Sequence, residues 1–387
     1  MPTETPSRPS PPPDPSRPSP PPAPARTGLR RLTRGAFADL TPLRHSPDYR
    51  RLWFGQTVSS IGQQMTTLAV GIQVYALTGS TFLTGLVGIC SLVPLVVFGL
   101  YGGAIADRVD RRRLGLVGSG GLAAVSALLA AQALLDLRSI TLLYAAVAAY
   151  GAQSAYLADT AAFAATLYAM WRLPAMRPQS TTGKRATVLD GLRFLRTQPN
   201  LRTSFAADLA AMIFGLPRAL FPAIVLPFYG GDAGTVGLLA AAPAVGALAG
   251  GLFSGWIGRI HRHGVAVLTS VAAWGLAIAA FGLVRNLPLG LLLLAAAGCA
   301  DTVSMIFRNT MMQVAAPDEM RGRLQGVFIV VVAGGPRLGD FESGTVSSLT
   351  TPTLSILTGG LACVAVVLYL ALRRPAFRHY DARHPTP

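Results

Sequence analysis

Between Leu52 and Leu372 the chain alternates long apolar runs with short polar clusters, and most of the runs last about twenty residues or a little more. A helix of that length rises 1.5 Å per residue and matches the roughly 30 Å hydrocarbon core of a bilayer. The pattern predicts helical spans near 52–77, 83–106, 114–135, 140–171, 205–228, 234–258, 264–284, 288–307, 324–349 and 353–372. One of these ten is anomalous. The run 140–171 corresponds to roughly 48 Å of helix, long for one perpendicular crossing and cramped for two with a turn. One crossing gives ten spans, and two give eleven.

Composition strengthens this picture. Apolar residues make up 51% of the chain and charged residues 13%, an excess that a single soluble core could not hide and that must face lipid. The net charge of +16 could suggest a nucleic-acid partner, but the positions of the cations argue against it. Segments 1–51, 107–113, 172–204, 259–263, 308–323 and 373–387 hold 29 of the 33 basic residues. Positive loops stay in the cytoplasm, so this asymmetry predicts both termini inside and an even number of crossings. A double crossing by 140–171 would carry the basic segment after it to the outside, which favours a single long or broken helix. Asp159 then belongs inside the bundle or near the cytoplasmic interface.

The first residues repeat PSRPSPPP at 6–13 and 15–22, a composition that favours hydrated polyproline II over packing. The expected organisation is a disordered cytoplasmic tail over 1–45, an N-terminal helical bundle over 46–173, a cytoplasmic linker over 174–204, a C-terminal bundle over 205–374 and a tail over 375–387. Within the linker, Val188, Leu189, Leu192 and Leu195 recur at helical spacing with arginines on another face, which predicts an amphipathic surface helix. Cys90, Cys299 and Cys363 lie singly in apolar runs and read as small buried hydrophobes.

The segment from Gly103 through Asp107, Arg108, Arg111 and Arg112 resembles motif A of the major facilitator superfamily. There a carboxylate at a helix end accepts ion pairs and hydrogen bonds that latch one access state. Asp110 stands where the motif usually has glycine. A second copy of the pattern follows, because Gly103 and Arg111 match Gly251 and Arg259 at one constant offset. The stretches Leu52 to Gly62, Asp208 to Pro222 and Ala316 to Arg323 resemble the subfamily of enterobactin exporters and macrolide or multidrug efflux proteins. The resemblance implies an all-α, two-bundle membrane fold with a cargo site between the halves near mid-membrane. It also exposes a gap, since Tyr150 to Ala155 runs directly into Tyr156 to Thr160 where relatives have a loop and a fifth helix.

Charges inside spans are costly and therefore candidate functional groups. Asp208 and Arg218 are ten residues apart, about 280° around a helix, so each is expected to seek a partner on another helix. Pro217 and Pro222 frame Arg218 and predict a helix break. Asp301 and Arg308 fall nearly on one face. Arg337, Asp340 and Glu342 follow Gly334-Gly335-Pro336, and Arg337 could meet Asp340 as an i, i+3 pair. Any carboxylate among Asp208, Asp301, Asp340 and Glu342 would suit proton coupling, or would serve a structural ion pair. Gln56 and Gln63 share a face of the first span and could line a cavity or knit helices together.

No phosphate-binding GxxxxGK[ST] loop occurs, since the single lysine, Lys184, stands in TTGKR. The five histidines lie in predicted loop segments and tails without a nucleophile or metal constellation. The sequence therefore predicts no enzyme, no metal and no cofactor. Its expected partners are lipid, a small-molecule substrate and protons, and the expected activity is proton-coupled export. The alternative is a transport-inactive remnant left by loss of the fifth helix, acting at most as a structural or binding membrane protein.

Overall fold

A computed structural model describes residues 64–106, parts of 124–149, 188–315 and 318–381. These residues form helices and short connections, without a strand. We number the principal helices α1 (64–78), α2 (Thr81–Ala106), α3 (140–149), α4 (Val188–Thr197), α5 (Pro199–Phe214), α6 (Ala233–Leu252), α7 (His263–Leu283), α8 (Leu287–Ala315), α9 (Asp318–Leu349) and α10 (Pro352–Arg373). Five described segments are long and apolar enough to cross a membrane: Pro199–Tyr229, Ala233–Leu252, His263–Leu283, Leu287–Val314 and Pro352–Arg373.

Their apolar composition leaves many large side chains outside any core. Leu226, Leu238, Leu292 and Leu372 are all more than half exposed, as lipid-facing residues must be once the backbone polar groups are satisfied within the helix. Helices α7, α8 and α10 and the span beginning at α5 surround one apolar cluster that includes Trp274, Ile278, Phe281, Leu294, Phe307 and Ile356. A smaller cluster of Val70, Val74, Val87 and Leu143 joins α1, α2 and α3. Tyr144 adds a hydrogen bond from its hydroxyl to the Leu83 carbonyl at 2.8 Å.

The two clusters are bridged by α2 packing on α9, and glycine permits the close approach. A Cβ on Gly88 would collide with the Arg337 carbonyl, and one on Gly85 with the Asp340 carbonyl. Small residues at such crossings let backbones approach where lipid supplies no hydrophobic drive. The consequence for function is positional, because the backbone that carries Arg337 and Asp340 is pressed directly against α2.

Several expected boundaries shift. The span expected at 205–228 begins at Pro199, whose fixed φ suits the first turn of a helix. The one expected at 234–258 is α-helical only to Leu252 and continues as a 3-10 segment over Ser254–Arg259. Helix α9 starts at Asp318 rather than 324. In helix α4 Leu195 lies in the core and Arg193 and Arg196 are exposed. Beyond α10 the chain does not leave the bundle at once, since Phe377 and Tyr380 are buried in the main cluster. The cysteines are free, with Cys363 buried and Cys90 and Cys299 half-buried.

Candidate functional site

The span that starts with α5 is not one helix. Gly215 ends the regular α-helix, Arg218–Leu220 forms a 3-10 turn, Phe221–Ile224 a short α-turn, and Val225–Tyr229 a π-turn that closes at Gly230 with φ 58°. Pro217 and Pro222 cannot donate backbone hydrogen bonds, so the regular ladder fails here. A left-handed residue after the last turn is most easily a glycine. The break lies on the wall of a cavity of about 440 Å³, within the range of small-ligand sites.

That cavity takes side chains from α1, α2 and α3 on one side and from the broken span, α6, α7, α8 and α9 on the other. Most of the wall is apolar. Its polar positions include Gln64, Thr84 and Ser91, and its charges, among the described residues, are Arg218, Arg337 and Asp340. Arg218 faces Asp340 at 3.9 Å, with side-chain exposures of 32% and 16%. This distance allows an electrostatic pairing without a direct hydrogen bond. The Arg218 Nε and Asp340 Oδ1 are buried and have no hydrogen-bond partner among the described residues.

The expected i, i+3 bridge between Arg337 and Asp340 is not formed. The Arg337 Nε donates instead to the Ser91 hydroxyl at 2.9 Å, and its Nη1 to the carbonyl of Ala333 one turn earlier. The close α2 contact explains the difference, because it brings Ser91 within reach of a guanidinium that already bends back along its own helix.

A second cluster sits apart from the cavity. Asp208 on α5 pairs with Arg308 on α8, and Arg308 also reaches Asp301 on its own helix at 3.6 Å. Asp208 and Arg308 are almost completely buried, at 2% and 6% exposure, while Asp301 keeps 34%. Asp208 and Arg218 thus do find separate partners on other helices. The gap beside the Asp208–Arg308 pair is about 10 Å³, room for little more than one water.

The remaining sequence candidates are dispersed. Glu342 is half-buried on α9 and makes no ion pair with the described residues. Gly103 lies in the last turn of α2. Asp107, Arg108, Arg111, Arg112, Gln56, Gln63 and Asp159 fall outside the described residues. Sequence reasoning missed Gln64, Ser91 and Trp274 as cavity residues. Gln64 adjoins Gln63, a candidate cavity residue, whereas a serine or tryptophan inside an apolar run gives no local sign of what it faces. No cluster of metal-ligating side chains occurs among the described residues.

Apolar spans packed around a partly charged, solute-sized cavity define a multi-pass helical membrane protein. The chain belongs to the transmembrane secretion effector family of the major facilitator superfamily, a family of transporters, whose model matches residues 37–147 and 144–386. The two matched pieces meet within α3. The enterobactin exporter of Citrobacter koseri is 30% identical over 225 residues, 57% of this chain and 54% of that protein. The enterobactin exporter of Escherichia coli K12 is 30% identical over 223 residues, 57% and 53% of the two chains. The matched stretch therefore spans about half the length of these curated relatives. Among solved structures, the human organic anion transporter MFSD10 overlays on 88% of each chain, with a TM-score of 0.43 and 14% identity.

Proposed function

We propose that this chain is a secondary active exporter of the plasma membrane that carries a small organic molecule through the central cavity in exchange for protons. The observation that carries the reading is the loosely engaged Arg218–Asp340 pair on the wall of a solute-sized cavity shared by helices from both ends of the chain. A carboxylate whose partner stands at 3.9 Å can exchange that partner for a proton without leaving a second buried charge fully stranded. Asp340 is the preferred coupling group for that reason. Glu342 and Asp301 are secondary candidates, and Asp208 is the least suited because Arg308 holds it tightly.

In this reading both termini and the basic segments face the cytoplasm. The bundles over 46–173 and 205–374 rock about the cavity, joined by the linker at 174–204. Gly103, Asp107, Arg108, Arg111 and Arg112 latch one access state. Relatives named as enterobactin exporters make a siderophore the first cargo to test, with drug-like molecules next.

The test uses inside-out vesicles containing the full chain, with and without an imposed pH gradient. Gradient-dependent siderophore uptake that a protonophore abolishes, and that Asp340→Asn uncouples, is the expected result. Uptake indifferent to the gradient would remove proton coupling.

A second reading has one observation in its favour. The family match breaks at 144–147, beside the place where the resemblance expects a fifth helix. Loss of that helix would leave a remnant without transport. Comparing this chain with a version carrying the helix restored decides the matter: export by the restored version alone supports the remnant, and equal export by both excludes it.

A further inference from the structure

The charges on the cavity wall do not balance. Among its described lining residues there are two guanidinium groups, Arg218 and Arg337, and one carboxylate, Asp340. The resulting excess is +1. The single carboxylate engages Arg218 only at 3.9 Å, and Arg337 spends its hydrogen bonds on neutral acceptors, the Ser91 hydroxyl and the Ala333 carbonyl. Among the described residues neither cation therefore has an anionic hydrogen-bond partner, although Arg337 is half-buried and two-thirds of the Arg218 side chain is shielded from solvent.

An uncompensated cation at membrane depth is costly, and a bound anion offsets that cost most directly. Guanidinium groups also present several parallel N–H donors that match a planar carboxylate or the oxygens of a sulfonate or phosphate. The rest of the wall selects the body of the ligand. Phe221, Pro222, Trp274, Ile278 and Leu294 give an apolar, partly aromatic surface, and the volume of about 440 Å³ leaves room for more than an inorganic ion.

We infer that the cargo site binds an organic anion, with Arg218 and Arg337 as its charge-recognising residues and the apolar wall holding an aromatic or aliphatic body. The inference rests on the proposed transport reading for the identity of the cavity as a cargo site, but it concerns binding alone. Asp340 competes with the ligand for Arg218, so the anion does not enter an idle site. It replaces a weak internal partner.

The experiment is a calorimetric titration of the purified full chain in lipid nanodiscs, with no gradient present. The probes are 2-naphthoate, 2-naphthamide and 2-naphthamidine, which share one aromatic body and carry negative, zero and positive charge. Naphthoate should bind at least about tenfold more tightly than the amide, and the amidine should bind least. Arg218→Gln with Arg337→Gln should erase the difference between naphthoate and naphthamide, and the corresponding double lysine variant should retain part of it.

Equal or tighter binding of the amide or amidine to the unaltered protein overturns the inference, and needs no variant to fold. An anion preference that survives the double glutamine variant overturns the assignment to these arginines. Titrations with chloride and with phosphate separate the alternatives by size. If either saturates the site as tightly as naphthoate and blocks it, the site is one for inorganic anions and the organic class is wrong. Anion binding without export in vesicles would sink the transport reading and leave this one standing, whereas export by a chain preferring neutral probes would do the reverse.

Discussion

Among the described residues two charged clusters occupy the helical bundle, and they differ in balance, burial and fit. At the cavity, two cations face one anion, and Arg218 keeps 32% exposure beside an aspartate 3.9 Å away. Between α5 and α8, two anions share one cation, and Arg308 is 6% exposed against an Asp208 at 2%. The residue types are the same. What separates a responsive pair from a fixed one is whether another partner can reach it, because a pair that opens onto a cavity can be re-solvated or re-liganded and a sealed pair cannot.

The largest expected effect tests that contrast on stability. Arg308→Met should strand Asp208 in the interior and cost roughly 3–5 kcal/mol. Arg218→Met, at a partly exposed and loosely engaged position, should cost no more than about 1 kcal/mol. Thermal unfolding of the two variants in the same detergent gives the comparison. Equal losses would erase the distinction between the clusters.

Next in size is the crossing that positions the cavity charges. Gly88→Val forces a side chain against the Arg337 carbonyl, and overpacking of that kind costs about 1–3 kcal/mol. Gly237 in α6 has nothing within 4 Å of a built Cβ, so Gly237→Ala should be neutral or stabilising by up to about 1 kcal/mol. Expression level and detergent melting temperature should both fall for Gly88→Val and stay level or rise for Gly237→Ala. If both glycines tolerate substitution equally, the close approach of α2 to α9 is not what fixes Arg337.

Asp340→Asn sharpens the same comparison through activity. It removes the anion at the cavity while leaving the buried cluster untouched, and because the cavity stays open to other partners folding should suffer less than in Arg308→Met. Gradient-driven uptake should fall to the level seen without a gradient. The matched change Asp208→Asn should instead lower the yield of folded protein, because Arg308 loses its most closely held carboxylate. Loss of coupling in Asp208→Asn with normal folding, and retention in Asp340→Asn, would reverse the assigned roles.

The sequence made some of this visible for definite physical reasons. Length and polarity of an apolar run decide whether it is a span, so α7 and α10 were legible almost to the residue. Pro217 and Pro222 announced the helix break because proline lacks a donor wherever it stands. Asp301 and Arg308 were legible as one face since helical geometry alone brings them together. Pairing between helices was not. Which cation meets Asp340 depends on how α9 and the broken span are docked, and the i, i+3 spacing that allows Arg337 says nothing of α2, which holds Arg337 through Ser91. Ser91 and Trp274 belong to the cavity by tertiary packing alone, and no periodicity within one helix reports that.

The smallest expected effect lies outside the membrane, where two helices begin with different caps. Asp232 accepts a hydrogen bond from the Thr235 backbone N–H at 3.1 Å, and Thr351 accepts one from the Leu354 backbone N–H at 3.2 Å. The Thr235 N–H holds the Asp232 carboxyl below its ordinary pKa of 3.8, whereas a threonine hydroxyl does not titrate. A folded-state pKa below the unfolded one stabilises the helix start above the unfolded value, and the gain is lost as pH falls through the folded value. Acidification below the ordinary aspartate range should therefore lower the exchange protection of the first α6 amides, normalised for intrinsic rate, while those of α10 hold. Asp232→Asn should keep the cap and remove its pH response, since an amide oxygen accepts the same bond without charge. Parallel loss at both helices, or an unchanged acid response in Asp232→Asn, would show that the carboxylate is not what acid removes from the start of α6.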